Sequence, residues 1–385
     1  NGARQVGAEL FLLDDGWFGN GLYSRDDDKH GLGDWEPSTK KLPRGLSYIA
    51  KEALKRKVDF GIWLEPEMVN PQSELYQKHP DWIITQPKRT PILGRHQEIL
   101  DLTRPEVQAF EWQVIDKTLR PNPDISYVKW DCNRYITQPG SGYLQPAEQS
   151  HLWIDYNWAL HRLMERFSKE FPNVMAMLCA GGSGRVDYGA LPYFHSFWPS
   201  DNTDPLGRIK IQWGFSHFFP ASTISAHVTR MGKRHLKLAI DVALSGAFGI
   251  DLALDKATAE ERVQIADAVK LYKASIRPLV MQGELYRLVS PYEHPMASLS
   301  YVSTDKNDAV VYLYQIQDGS VPQVILGGLD ARKNYRVEEV GLPKGSTSRF
   351  PGHGKIFSGA ELMSTGIANP LNAQFESAIL LLKTQ

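Results

Sequence analysis

The sequence predicts an α/β fold, a (β/α)8 TIM barrel followed by a small C-terminal antiparallel β-sandwich domain, and three observations carry that prediction. Short apolar strands alternate with helix-period stretches from the first residues to about residue 280, the pattern of repeated βα units. Eight such strands can be picked out, the number that closes a barrel. From about residue 284 the chain changes to strands separated by turns, the pattern of an antiparallel domain. A catalytic barrel over 1–283 and a C-terminal domain over 284–385 follow, and a chain of 385 residues is long enough to bury a core in each.

The strands expected in order are AELFLL (8 to 13), VDFGIWL (58 to 64), EIL (98 to 100), ISYVKW (125 to 130), VMAML (174 to 178), FHSFW (194 to 198), STISA (222 to 226) and AFGI (247 to 250). Helices fit between them, for instance over 105 to 118 after Arg104-Pro105 and over 204 to 218 after Asp204-Pro205, where proline suits a first helical turn. The later strands are ASLSYVSTD (297 to 305), DAVVYLYQI (308 to 316), PQVILGG (322 to 328) and ESAILLLK (376 to 383). Asp305-Lys306-Asn307-Asp308 reads as the tight turn joining the first two of these. No internal repeat or low-complexity segment interrupts the series.

Charge and composition narrow the function. The 43 Lys+Arg stand against 44 Asp+Glu with no block of five like charges, which argues against a nucleic-acid partner. No apolar run approaches the ~20 residues of a membrane span, so no membrane partner is expected. Cys132 and Cys179 are too few for a disulfide framework and wrongly spaced for zinc, and the histidines form no HExxH pair; neither a metal nor another cofactor is expected. The run Asp26-Asp27-Asp28 reads as a solvated loop in preference to a calcium site. The chain begins without Met shortly before a strand, which points to sequence upstream of residue 1.

Acids recur where strands end, the rim on which barrels of this kind do chemistry. Asp14 and Asp15 follow strand one, Glu65 and Glu67 strand two, Asp101 strand three, Asp131 strand four, Asp201 strand six and Asp251 strand eight. Any one of them alone is more simply a cap or turn residue. Several together repel one another unless a ligand, a cation or a shared proton offsets the cost. Glycoside hydrolysis needs such a pair, one carboxylate ionised at the anomeric carbon and one acid holding a proton for the leaving oxygen.

In KWDCNR (129 to 134) strand alternation puts Lys129 and Asp131 on one face and Trp130 and Cys132 on the other. An ammonium beside the Asp131 carboxylate favours its ionised form, as a nucleophile requires, and would equally make a structural ion pair. Asp201, in FWPSDNTD (197 to 204), follows an aromatic strand; apolar surroundings and the charge of Asp131 both favour its protonated form, which suits a general acid. Either Asp201 or Asp204 is also expected to cap the helix that follows. The glycines of CAGGSGR (179 to 185) let backbone approach a ligand closely, without the spacing of a phosphate-binding loop.

These motifs together resemble glycoside hydrolase family 36, the α-galactosidases and their galactosyltransferase relatives. The resemblance runs through the whole chain, in LLDDGWFG (12 to 19), GDWEPSTKKLPRGL (33 to 46), FGIWLEPEMV (60 to 69), GRHQ (94 to 97), KWDCNR, CAGGSGR, SDNTD and the tail SGAELMSTGI (358 to 367). It implies a barrel acting with net retention through a covalent galactosyl-enzyme, with Asp131 as nucleophile and Asp201 as acid/base. It further implies that Asp14 and Asp15 accept the 4- and 6-hydroxyls of galactose and that Trp63 lines the pocket. Arg95 and Lys129 would hold hydroxyls and charge, Asn133 would join the substrate-binding set, and Cys179 and Gly182 would border the 2-hydroxyl. For retention the two catalytic carboxyls should stand about 5 to 5.5 Å apart.

Three departures from the family's pattern stand out. The N-terminal β-sandwich domain that normally precedes the barrel and helps form a tetramer is lacking, so a homo-oligomer is compatible with the resemblance but not required by it. Met177 stands where an acidic residue is frequent, and Cys132 where Met is common, the latter facing away from the pocket. The expected partner is a terminal α-galactoside of an oligosaccharide or glycoconjugate. The rival readings are an α-N-acetylgalactosaminidase, a galactosyltransferase, and a carbohydrate-binding barrel without catalysis.

Overall fold

A computed structural model describes residues 1–385. The chain packs as two compact units: Ala8–Phe197 with Asn1 and Ala3, and Trp198–Gln385 with Gly2 and Arg4–Gly7. The division expected at 283/284 therefore falls inside the second unit.

Helix α1 (Gly2–Gln5) falls mostly in the second unit; in the first, β1 (Leu10–Leu13) is followed by α2 (Gly45–Lys55), β2 (Asp59–Leu64), β3 (Met68–Val69), α3 (Glu74–Lys78), β4 (Glu98–Ile99) and α4 (Pro105–Leu119). Next come β5 (Ile125–Trp130), α5 (Leu152–Glu170), β6 (Met175–Leu178) and β7 (Ser196–Phe197). A five-stranded sheet has the order β1-β2-β5-β6-β7, and every pairing in it is parallel. Its register aligns Leu13 with Ile62, Leu64 with Trp130 and Trp130 with Leu178, so the carboxyl ends come level. Phe60, Ile62, Leu64, Val128, Trp130, Ala176 and Leu178 on one face are all buried, and so are Trp63 and Met177 on the other, as strands covered on both faces require. Helix α4 opens at Arg104-Pro105, with proline in the first turn.

One expected strand is corrected. EIL pairs antiparallel as β4 with β3, while β2 bonds directly to β5, so EIL lies outside the parallel sheet. Three residues give too short an apolar run to distinguish a sheet strand from a ribbon, and Glu98 there is tied to Arg134 at 2.6 Å. Asp101 accordingly does not end a sheet strand. Wholly buried, it accepts from Thr103 Oγ1 at 2.6 Å and from Ser141 Oγ at 2.5 Å at the entry to α4.

The second unit begins with α6 (Pro205–Phe215), capped by Asp204, whose side chain accepts from the Leu206 N–H. Then follow β8 (Ser225–Val228), α7 (Leu236–Ala243), β9 (Ala247–Ile250), α8 (Ala259–Leu271) and α9 (Arg277–Gln282), with β8 and β9 parallel. STISA begins three residues later than expected because residues 221–223 form a helical turn. The remaining strands are β10 (Glu284–Val289), β11 (Met296–Val302), β12 (Asp308–Gln315), β13 (Gln323–Val324), β14 (Asn334–Val340), β15 (Ile356–Ser358), β16 (Ile367–Ala368) and β17 (Ser377–Thr384), with α10 (Gly359–Ser364) before β16. Six of them form an antiparallel sheet in the order β10-β11-β12-β17-β14-β15, beside the β13-β16 pair.

The centre of that sheet is buried on both faces. Ala309, Val311 and Leu313 point into a core with Leu380, Leu382, Val337 and Phe350. The opposite face carries Tyr301, Tyr312 and Tyr314, whose hydroxyls donate to the carbonyls of Ser245, Leu244 and Asp241 at 2.8, 2.8 and 3.1 Å. Those carbonyls lie at the end of α7, where no intrahelical partner remains for them. Burial raises the pKa of all three phenols, which keeps them as donors.

Candidate active site

Parallel strands that end level place the residues following them side by side. Asp14 and Asp15 follow β1, Glu65 follows β2, Asp131 follows β5 and Cys179 follows β6. The Asp131 N–H donates to Leu64 O and the Cys179 N–H to Trp130 O, each at 2.8 Å, so the ladder continues one residue past the strands.

Asp131 is buried and both of its oxygens are held. Trp63 Nε1 donates to Oδ2 at 3.0 Å and the Cys132 N–H to Oδ1 at 2.8 Å. Trp63 is itself fixed: Trp17 Nε1 donates to its carbonyl at 2.9 Å, and the Phe18 ring stacks on it at 6.2 Å between centroids. With 2% of its surface exposed, Trp63 serves mainly to orient Asp131. Lys129 Nζ donates to Asp14 Oδ2 at 2.9 Å. Burial opposes the ammonium charge, but the carboxylates of Asp14 and Asp131 outweigh it and raise the Lys129 pKa. The Cys179 thiol is raised by burial first and by the Asp131 charge second, so it is a neutral S–H able to donate to that carboxylate.

Asp15 is gripped by the buried Arg25, with Nε to Oδ1 at 3.0 Å and Nη2 to Oδ2 at 2.7 Å, a fork that fixes the carboxylate plane. Asp14 and Asp15 both retain exposed surface. The Asn133 N–H donates to Glu65, and its Oδ1 is the nearest atom to a Cβ placed on Gly181, at 3.9 Å. Gly182, at φ +101°, returns its carbonyl to the Ala180 N–H at 2.8 Å, a turn that only glycine makes without strain. Asp14, Asp15, Trp63, Lys129, Asp131, Asn133, Cys179 and Gly182 thus cluster around the ends of β1, β2, β5 and β6. Arg95 does not share their contacts: it is exposed at the tip of the Gly94 to Gln97 turn, with φ at 51°.

Asp201 belongs to the second unit. It is exposed, and Trp198 Nε1 donates to its Oδ1 at 2.9 Å. Arg208 stacks on the Trp198 ring at 4.5 Å and His227 meets it edge-on at 4.6 Å, so the indole is a fixed mount for Asp201. Asp204, the neighbouring acid, is the helix cap.

Sequence reasoning gave no site role to a second layer of charge behind Asp131. Trp130 and Cys132, on the other face of the strand, lie with Glu67. The Glu67 carboxylate accepts from Trp130 Nε1 at 3.2 Å, Tyr156 OH at 2.6 Å and Arg185 Nη1 at 2.5 Å. Arg185 comes from the glycine loop, so this ion pair ties that loop to β2, β5 and α5. Glu111 lies wholly buried nearby, and burial with the Glu67 charge raises its pKa well above the usual range, so it is neutral. The two glutamates are far apart in sequence, and only the fold makes them neighbours. Arg185→Met should lower stability by about 3–5 kcal/mol, because it leaves the buried Glu67 carboxyl without its cation. A urea midpoint equal to that of the parent would refute this.

Glu65 was visible as a strand-end acid, but its state was not. Burial first and Asp131 second raise it to about 8, from an ordinary 4.5. The native state therefore holds a proton that the unfolded chain releases. The stability this group confers is complete below about 4.5 and is lost as pH rises through about 8. The acidic run at 26 to 28 is partnered within the fold: Asp26 pairs with Lys41 at 2.9 Å and Asp28 with Arg25 at 3.6 Å, and Asp27 shares a hydrogen bond with His30 Nδ1 at 2.7 Å.

Comparison with known proteins places this arrangement. The family model for melibiase matches residues 1–283, and that for the glycosyl hydrolase family 36 C-terminal domain matches residues 296–382. Alpha-galactosidase AgaA of Geobacillus stearothermophilus is 40% identical over 377 residues, covering 96% of this chain and 49% of the relative. Alpha-galactosidase 1 of Pediococcus pentosaceus is 36% identical over 378 residues, with the same coverage of 96% and 49%. The crystal structure of a variant of the Geobacillus stearothermophilus AgaA in complex with raffinose superposes with a TM-score of 0.90 at 37% identity, covering 100% of this chain and 52% of that one. The chain thus spans about half the length of the relatives it matches. The fold class is that expected, a (β/α)8 TIM barrel followed by a C-terminal antiparallel β domain.

Proposed function

The chain belongs to the melibiase family, with the glycosyl hydrolase family 36 C-terminal domain following, and from that membership we propose that it is a retaining α-galactosidase. It would remove terminal α-galactosyl residues from oligosaccharides or glycoconjugates, with a catalytic segment over 1–283 and a C-terminal domain over 284–385. The observation that carries the proposal is Asp131, buried at a strand end, with both oxygens held by Trp63 and Cys132 and with Lys129 at hand.

In the first displacement an Asp131 oxygen attacks the anomeric carbon as the glycosidic bond breaks, while Asp201 gives its proton to the leaving oxygen. Water then attacks the galactosyl ester, with Asp201 taking the water's proton and Asp131 leaving as carboxylate. Asp14 and Asp15 each keep open acceptor capacity, which suits them to two sugar hydroxyls; a ligand lacking one of these would leave an acceptor unpaired. Raffinose, bound by the AgaA variant, represents the proposed substrate class. The test is turnover of p-nitrophenyl α-galactoside with the product anomer followed by NMR. α-Galactose appearing first supports the proposal; β-galactose appearing first, or no turnover, refutes it.

The small, neutral Cys179 beside Asp131 favours a plain 2-hydroxyl over a 2-acetamido group. Faster reaction of the N-acetyl analogue would reverse that preference and assign an α-N-acetylgalactosaminidase.

A further inference from the structure

Glu65 follows Leu64 at the end of β2 and has no accessible surface. One oxygen, Oε1, accepts the N–H of Asn133, two residues beyond Asp131; the other, Oε2, stands 3.2 Å from Gln97 Nε2. Gln97 Oε1 is buried and has no partner. Asp131, Asp15 and Arg25 act on Glu65 electrostatically, and Glu65 in turn acts on the Cys132 thiol. Among these only Arg25 is positive, and its fork is committed to Asp15. A second carboxylate charge here would thus be buried against Asp131 without a cation of its own.

A protonated Glu65 removes that uncompensated charge. Its O–H needs an acceptor, and rotation of the Gln97 amide, which exchanges oxygen and nitrogen at nearly the same positions, supplies Oε1. Accepting from Asn133 and donating to Gln97, the neutral acid joins the segment after β5 to the turn before β4.

We propose that Glu65 is a positioning residue for displacement at Asp131, working as a neutral acid between the Asn133 backbone and Gln97, and that loss of its proton sets a second buried charge against Asp131 and inactivates the site. This rests on the reading of Asp131 as nucleophile. On ionisation the Gln97 amide donates from Nε2 and the Asn133 N–H bond persists, but two buried carboxylates then repel across the turn that aims Asp131. The device therefore acts on the galactosyl-transfer step to Asp131 and imposes an alkaline limit distinct from the ionisation of a general acid.

The test uses α-galactosyl fluoride, whose leaving group needs no proton, so that an Asp201 ionisation does not enter. In the parent enzyme kcat/KM should fall about tenfold per pH unit above the Glu65 ionisation. In Glu65→Gln, which keeps an acceptor for Asn133 and a donor for Gln97, that limb should disappear. Glu65→Gln should also retain at least about tenfold more activity than Glu65→Ala at about pH 6. Gln97→Met, which removes the donor to the ionised acid, should move the limb to higher pH, and it provides a second readout should the Glu65 variants not fold. A limb unchanged in Glu65→Gln or in Gln97→Met overturns the proposal. Azide rescue of Asp131→Ala reports separately on the nucleophile: rescue with an unmoved limb removes only the role of Glu65, whereas failed rescue removes the reading on which it stands.

Discussion

Asp131→Ala is expected to lower kcat on an aryl α-galactoside by about 10⁴-fold or more, and added azide to restore turnover with β-galactosyl azide as product. The magnitude follows from what the carboxylate does: without it no galactosyl ester forms, and both half-reactions lose their shared intermediate. The anomeric sign follows from geometry, since azide fills the space left by the carboxylate and attacks the face that Asp131 attacked. Removing the side chain leaves Trp63 Nε1 and the Cys132 N–H without their acceptor, and a small anion is a fitting substitute. Formation of the α-azide would place the nucleophile elsewhere, and unchanged kcat would remove Asp131 from the chemistry.

For Asp201→Ala the expected loss depends on the leaving group. Natural galactosides should lose about 10²- to 10⁴-fold, while p-nitrophenyl or fluoride leaving groups should lose far less in the first step, because they depart without a proton. Azide, needing no general base, should raise the turnover of activated substrates by this variant. Trp198→Phe should reproduce part of the defect, since it removes the indole N–H that orients Asp201. Equal losses on natural and activated substrates would refute the acid role.

Much of this was legible in the sequence because the signals were local. ISYVKW is a strand over the same six residues the pattern indicated, AFGI likewise, and the proline-opened helices began where expected. Alternation in KWDCNR separated Lys129 and Asp131 from Trp130 and Cys132, and each pair does have its own set of neighbours. The failures have a common cause. EIL carries the residue types of a strand, but whether three residues join a parallel sheet or a two-stranded ribbon is decided by β3, thirty residues earlier. β14 was overlooked although NYRVEEV alternates buried and exposed, because Glu and Arg obscure the apolar period. The state of Glu65 depends on Gln97 and Asn133, and that of Glu67 on Tyr156 and Arg185; these are meetings that spacing along one strand cannot reveal.

The three tyrosine hydroxyls that cap the end of α7 bear on how this protein could be cut. A boundary drawn between the two matched families would run through the second compact unit and strip Leu244, Asp241 and Ser245 of their donors. A fragment ended there would expose a raw helix terminus and the apolar ground beneath it, and should be recovered as aggregate. What is inherited as two pieces is, mechanically, one.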